Sequence, residues 1–260
     1  MNQFWKPFGI SLLAATAVAM GWMSMASTSP SVPVESAPVV VVELFTSQGC
    51  HSCPSADANL RALVAEAEQT GVQLIPLAFH VDYWNYLGWK DVFSEEAYSL
   101  RQRAYAQHLG SGVYTPQMVF NGSSECIGSR KGETRSLIQQ ALQSRRKLSI
   151  QAHIQPASAE QRLSVSYQLP AEATGTYLHI ALVETGLEVP IRRGENGGKT
   201  LAYDHVVRSY ATHQLTDGSL QGQLTLEFAE DVQLSNSKVV AYVQEGEVGA
   251  VLGAVQMPVL

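Results

Sequence analysis

The stretch Val39–Ala58 constrains this chain more than any other. It opens on a Val-rich apolar run, Val39-Val40-Val41-Val42-Glu43-Leu44-Phe45. Runs of that kind read as a strand buried on both faces. A short turn follows, ending in Gly49, and then Cys50-His51-Ser52-Cys53-Pro54. Beyond Pro54 the period changes: Leu60, Leu63, Val64 and Ala67 recur at helical spacing. A Cys-x-x-Cys pair therefore sits where a buried strand hands over to a helix N-terminus.

That position has a definite chemistry. The first turn of a helix carries unpaired N–H groups and the positive end of the macrodipole. A thiolate there is stabilised, and a Cys pKa falls from about 8.5 to roughly 3.5–7.5. The thiolate attacks disulfides, and a second Cys two residues further on resolves the mixed disulfide. Cys50, nearer the turn and expected to be the more exposed, is the candidate attacking thiolate, and Cys53 the resolving one. His51, as a cation between them, would favour the thiolate. Half of a zinc site has the same spacing, but no second Cys-x-x-Cys and no His-x-x-x-His partner occurs. A permanent structural disulfide is the other reading of the pair. The third cysteine, Cys126, reads as a buried thiol that packs as a small hydrophobe.

The N-terminus points to export. Lys6 precedes an apolar stretch, Phe8–Met20, and then a small-x-small site, Ser24-Met25-Ala26. Residues 1–26 read as a secretory signal peptide and 27–37 as a Ser/Pro-rich linker. An uncleaved membrane anchor is the alternative, since no charge falls between Pro7 and Ala26. Either way the body of the protein is expected outside the cytoplasm, periplasmic or secreted, where disulfides persist. The formal charge of −6 and the absence of a basic block argue against a nucleic-acid partner.

Along the chain, Val72–Val81 reads as a second strand, parallel to the first, with Pro76 hinting at an edge or a bulge. Asp82–Asp91 packs four aromatics into one loop, either as a groove wall beside the cysteines or as a small core of its own. His80 and Asp82 are weaker site candidates at this strand end. Ser94–Leu109 reads as a helix with Ser94 as N-cap. Tyr114-Thr115-Pro116 leads into a strand, Asn121-Gly122 is a hairpin turn, and Ser123–Ile127 is the return strand. A helix over Glu133–Arg146 closes this half.

The order β, Cys-x-x-Cys, α, β, α, Thr-Pro, hairpin, α resembles the thioredoxin superfamily. The resemblance implies a cis Thr115–Pro116 bond facing the cysteines, with both residues positioning substrate. It also aligns Glu43 with a buried acid that would exchange protons with Cys53; an edge-exposed Glu is the bland alternative. Longer phrases are similar to the secreted thioredoxin-like family of domain of unknown function 1223. They are Glu43–Pro54, His80–Asp91, Arg101–Tyr105, Tyr114–Met118 and Arg193–Asn196. That family carries no established activity, so this resemblance implies fold rather than function.

From Leu148 the helical signals stop. Short alternating runs at 148–154, 162–169, 177–184, 223–228, 238–244 and 250–257 predict an all-β antiparallel, sandwich-like domain over 148–260, after a thioredoxin-like α/β domain over 38–147. Gly194–Thr200 fails the phosphate-loop pattern by one residue and reads as a long hairpin loop, with Arg193 and Lys199 as a basic lip. The expected function is thiol–disulfide exchange with protein or small-molecule thiols and disulfides, needing no bound cofactor. A binding module with a structural disulfide and a soft-metal carrier using Cys50, Cys53 and a His are the alternatives.

Overall fold

The structure, a computed structural model, describes residues 1–2, 39–144, 148–155 and 161–259. Apart from residues 1–2, the expected leader and linker lie outside these. One compact unit, Ser36–Leu260, holds every element below.

The Val-rich run is strand β1 (Val39–Thr46), with every residue after Val39 buried. Its alternate side chains enter two cores. Val40, Val42 and Leu44 pack with Leu60 and Leu63 of helix α1 (Cys53–Thr70) and Ile138 of helix α3 (Lys131–Leu142). Val41 and Phe45 pack with Tyr98 and Tyr105 of helix α2 (Glu96–Leu109). A strand covered on both faces needs apolar residues at every step, hence the unbroken run. Helix α1 ends at Gly71 in the left-handed conformation and crosses to β2 (Gln73–His80), parallel to β1 from Val39↔Gln73 to Thr46↔His80. On β1's other side lies antiparallel β3 (Gln117–Phe120), turning through Asn121 and Gly122, both at positive φ, into β4 (Ser124–Ile127). Helix α2 takes Glu95, not Ser94, as its N-cap, and α3 stops at Leu142, short of the expected Arg146.

The second half adds β5 (Gln151–Ile154), β6 (Arg162–Gln168), β7 (Tyr177–Glu184), β8 (Leu187–Pro190), β9 (Thr200–Tyr203), β10 (Val206–Gln214), β11 (Gln221–Glu227), β12 (Ser237–Gln244) and β13 (Val251–Pro258). Here the structure departs from the expected division near 147. Four of these strands continue the first half's sheet, giving one eight-stranded mixed sheet ordered β13-β12-β7-β10-β2-β1-β3-β4. The junction is β10, parallel to β2. A separate antiparallel sheet, β11-β6-β5, packs over β7 and β12 through Leu163, Val165, Leu226, Ile180, Leu182, Val239 and Ala241. The β8–β9 hairpin forms a third, two-stranded sheet.

Pro76 is explained by this junction. β2 lies inside the sheet, but its only register pair with β10 is Val206↔Ala78, and the Ala78 N–H donates to His205 O. Two residues earlier Pro76 turns toward the same side, where β10 no longer pairs and no donor is required.

Candidate functional site

The two cysteines sit where the pattern predicts, at the start of α1. Ser52 at the N-cap makes no side-chain capping bond, Pro54 occupies the first turn, and no acid lies in that turn. The positive end of the helix dipole there is left without a capping side chain. Cys50 and Cys53 form a disulfide with Cα atoms 5.4 Å apart. Neither is open to solvent: Cys50 is 1% exposed and Cys53 0%. The expectation that Cys50 is exposed is thus corrected. His51 and Ser52, between them, are exposed instead.

The turn that carries Cys50 is held by two segments distant in sequence. The first is the aromatic loop. Trp84 packs on Gly49, where an added Cβ would meet the Trp84 Cβ at 3.1 Å. The same indole N–H donates to Thr115 Oγ1 at 2.7 Å, beside the cis Thr115–Pro116 bond. Trp89 Nε1 donates to Gln48 Oε1 at 2.8 Å, and Asp91 accepts from the Gln48 N–H at 2.8 Å. The loop therefore walls the site as well as packing within itself. The second segment is the β8–β9 loop, Ile191–Lys199. Buried Asn196 donates from Nδ2 to both Gln48 O and Cys50 O at 2.9 Å. Exposed Glu195 accepts the His51 N–H at 2.8 Å. Exposed Lys199 donates from Nζ to Asn196 Oδ1 at 2.9 Å.

On the α1 face of the sheet lies a group of polar side chains, of which Thr46, His80 and Asp91 are buried and Asp57 is half-buried. Asp57 stands one helical turn after Cys53, and i,i+4 residues are neighbours on a helix surface. Thr46 Oγ1 donates to it at 3.1 Å. Burial pushes the Asp57 carboxyl up to about 7, against the pull of His80 and the Thr46 hydrogen bond. His80 is fully buried, and its Nδ1 meets Asp91 Oδ2 at 2.7 Å. Burial opposes its charge, but Asp91 and then Asp57 outweigh that and raise its pKa above the ordinary value. His80 Nε2 has no hydrogen-bond partner, nor have the Tyr203 hydroxyl and Gln48 Nε2. The Tyr203 ring packs edge-on to His80 at 5.0 Å. Asp57 was not singled out from sequence; an acid four residues after the second Cys, on the inward face of the helix, was the available signal.

Glu43 stands elsewhere. It is buried, but alternation along β1 turns it to the α2 face, opposite the face that α1 covers. Arg101 grips both its oxygens, Nε to Oε2 at 2.7 Å and Nη2 to Oε1 at 2.9 Å, and Tyr105 donates to Oε1 at 2.5 Å. The expected pairing of Glu43 with Cys53 is replaced by this ion pair. Asp82 accepts from the Ser99 hydroxyl at 2.5 Å and joins neither group. Cys126 is buried among Met118, Ala56 and Leu60, and burial pushes its thiol up to about 12. Among the described residues no group of three or more His, Cys, Asp or Glu side chains is arranged to hold a metal ion, and no helix is long and apolar enough to cross a membrane.

Comparison with known proteins places the fold. A family model described as protein of unknown function, DUF1223, matches residues 41–244. A crystal structure of a protein from Agrobacterium tumefaciens is similar over 85% of this chain and 94% of its own, at 25% identity and a TM-score of 0.61. HBP35 of Porphyromonas gingivalis is similar over 85% of this chain and 75% of its own, at 15% identity and a TM-score of 0.56. No curated protein matches the sequence.

Proposed function

Given that the chain belongs to the DUF1223 family, we propose that it is an exported thiol–disulfide oxidoreductase, built on a thioredoxin-like unit, that works through Cys50 and Cys53. The observation that carries this reading is local. The pair occupies a helix N-terminus with no side-chain cap and no acid in its first turn, and Asp57, its pKa raised to about 7, lies one turn below. In the reduced protein the Cys50 thiolate attacks a substrate disulfide. A Cys50–substrate disulfide forms and one substrate thiolate leaves. Cys53 gives its proton to the Asp57 carboxylate and attacks Cys50, releasing the second substrate thiolate and restoring the Cys50–Cys53 disulfide. A base with a pKa near 7 suits that transfer at neutral pH. An external thiol donor runs the same steps in reverse to reduce the pair. Thr115 and Pro116, tied to Gly49 through Trp84, would position the substrate chain. The leader and the disulfide together favour an extracytoplasmic location.

A second reading keeps one observation of its own. Both sulfurs are buried, and side chains from Asn196 and Glu195 hold the segment around them, as suits a permanent disulfide in a binding module. The reduction potential of the pair decides, measured in glutathione buffers with Cys126→Ser. A value between about −120 and −270 mV supports the oxidoreductase, and one below about −300 mV replaces it with the binding module.

A further inference from the structure

We propose that the loop Ile191–Lys199 is a resident stand-in for substrate backbone, and that an extended polypeptide carrying a cysteine displaces it to reach Cys50. The inference rests on the oxidoreductase reading and names its substrate class. Three main-chain groups flank Cys50: the carbonyls of Gln48 and Cys50 and the N–H of His51. All three are taken by side chains of this one loop, the carbonyls by the Asn196 amide and the N–H by the Glu195 carboxylate. Two N–H donors and an oxygen acceptor spaced along one chain are what an extended peptide backbone offers. A polypeptide can therefore replace the loop bond for bond, where a small thiol fills only part of the pattern.

The geometry also calls for movement before exchange. A thiolate must approach a sulfur of the disulfide, and Cys50, whose main-chain carbonyl the loop holds, is 1% exposed. The loop is built to lift. Residues 192–195 and 197–199 are exposed, Gly194 and Gly198 adopt positive φ, and only Ile191 and Asn196 are buried. Gly194 rests against Leu87 and Trp89 of the aromatic loop. On that loop Tyr86 is 77% exposed, an apolar surface for a side chain next to the incoming cysteine.

The test uses the full chain with Cys126→Ser and compares Glu195→Ala, Asn196→Ala and the unaltered loop. The first exchange step, in which a thiolate forms a mixed disulfide with Cys50 and the Cys53 thiolate leaves, is followed with dithiothreitol and with a ten-residue peptide containing one cysteine. On the unaltered loop the peptide should outpace a small thiol of equal thiolate concentration, and loosening the loop should raise both rates by about tenfold, the effect of losing one hydrogen bond. Glu195 is exposed, so Glu195→Ala keeps the fold even if Asn196→Ala does not. Unchanged rates overturn the proposal. A peptide with no lead over the small thiol on the unaltered loop also overturns it, because the loop is then a general cover. The potential of the unaltered protein is read separately. A structural-disulfide value removes the parent reading whatever the rates, and a working potential with unchanged rates removes only the loop proposal.

Discussion

Arg101 shows how much one buried side chain specifies. Besides gripping Glu43, it donates to Tyr242 Oη at 3.0 Å, Gln244 Oε1 at 2.7 Å and Glu247 O at 2.9 Å. Its guanidinium also lies 5.1–5.9 Å from the ring centroids of Phe79, Tyr105, Tyr210 and Tyr242. Arg101→Met leaves the Glu43 carboxylate buried without a counter-charge. Urea unfolding should show a loss of about 3–5 kcal/mol, partly recovered by adding Glu43→Gln. Arg101→Lys should not rescue it, since a point charge cannot replace the fork. Asp57 answers to pH. Its folded pKa of about 7 lies above the unfolded carboxylate value, so the folded protein keeps a proton that the unfolded chain releases. The stability this gives is complete below about pH 4 and is lost as pH rises through about 7. Asp57→Asn should therefore stabilise the protein by about 1–3 kcal/mol at pH 8 and hardly at pH 4, read from unfolding at the two values. If Asp57 serves Cys53, the same variant should slow release of a Cys50 mixed disulfide by about 10²-fold near pH 7. At this scale the cysteines were legible because their chemistry needs a local pattern. Glu43 was misplaced because a buried acid on β1 can face either core, and only alternation along the folded strand tells which.

Single elements were legible where their signals were local. The Val run, the switch to helical spacing after Pro54 and the Asn-Gly turn each state their structure within a few residues. The turn carries more than its hairpin. Gly122 has φ +63°, and an added Cβ would meet Gly249 O at 1.9 Å. The neighbouring Asn121 side chain accepts the Val41 N–H at 2.8 Å, and its main-chain carbonyl accepts the Val251 N–H. The turn thus binds β1 to the final hairpin of the chain. Gly122→Ala should cost about 2 kcal/mol or more in thermal unfolding, combining strain at positive φ with the clash. The β8–β9 loop was legible as a hairpin loop but not as a wall of the site. Asn196 and Cys50 are separated by 146 residues, and no periodicity records a contact of that span.

Across the whole molecule, the boundary expected near 147 followed a real change of composition, from mixed helix and strand to strands alone. That change is not where the sheet divides. β2's inner neighbour is β10, and Arg101 of the first half finds Tyr242 and Gln244 in the second. A fragment of residues 38–147 should therefore lack a cooperative transition in circular dichroism, whereas the intact chain should melt once. A stable, sharply melting fragment would restore the two-domain division. The sheet order also sets a timetable. β1 and β2 are near in sequence, but the strand beside β2 begins at Val206, and the Gly249 carbonyl that leaves no room for a Cβ at Gly122 follows still later. As the chain emerges from synthesis, its central sheet stays open on one side until nearly all of it has arrived. Long-range closure of that kind is slow, and the two cysteines precede in the chain the Ile191–Lys199 segment whose side chains bond the main chain around Cys50.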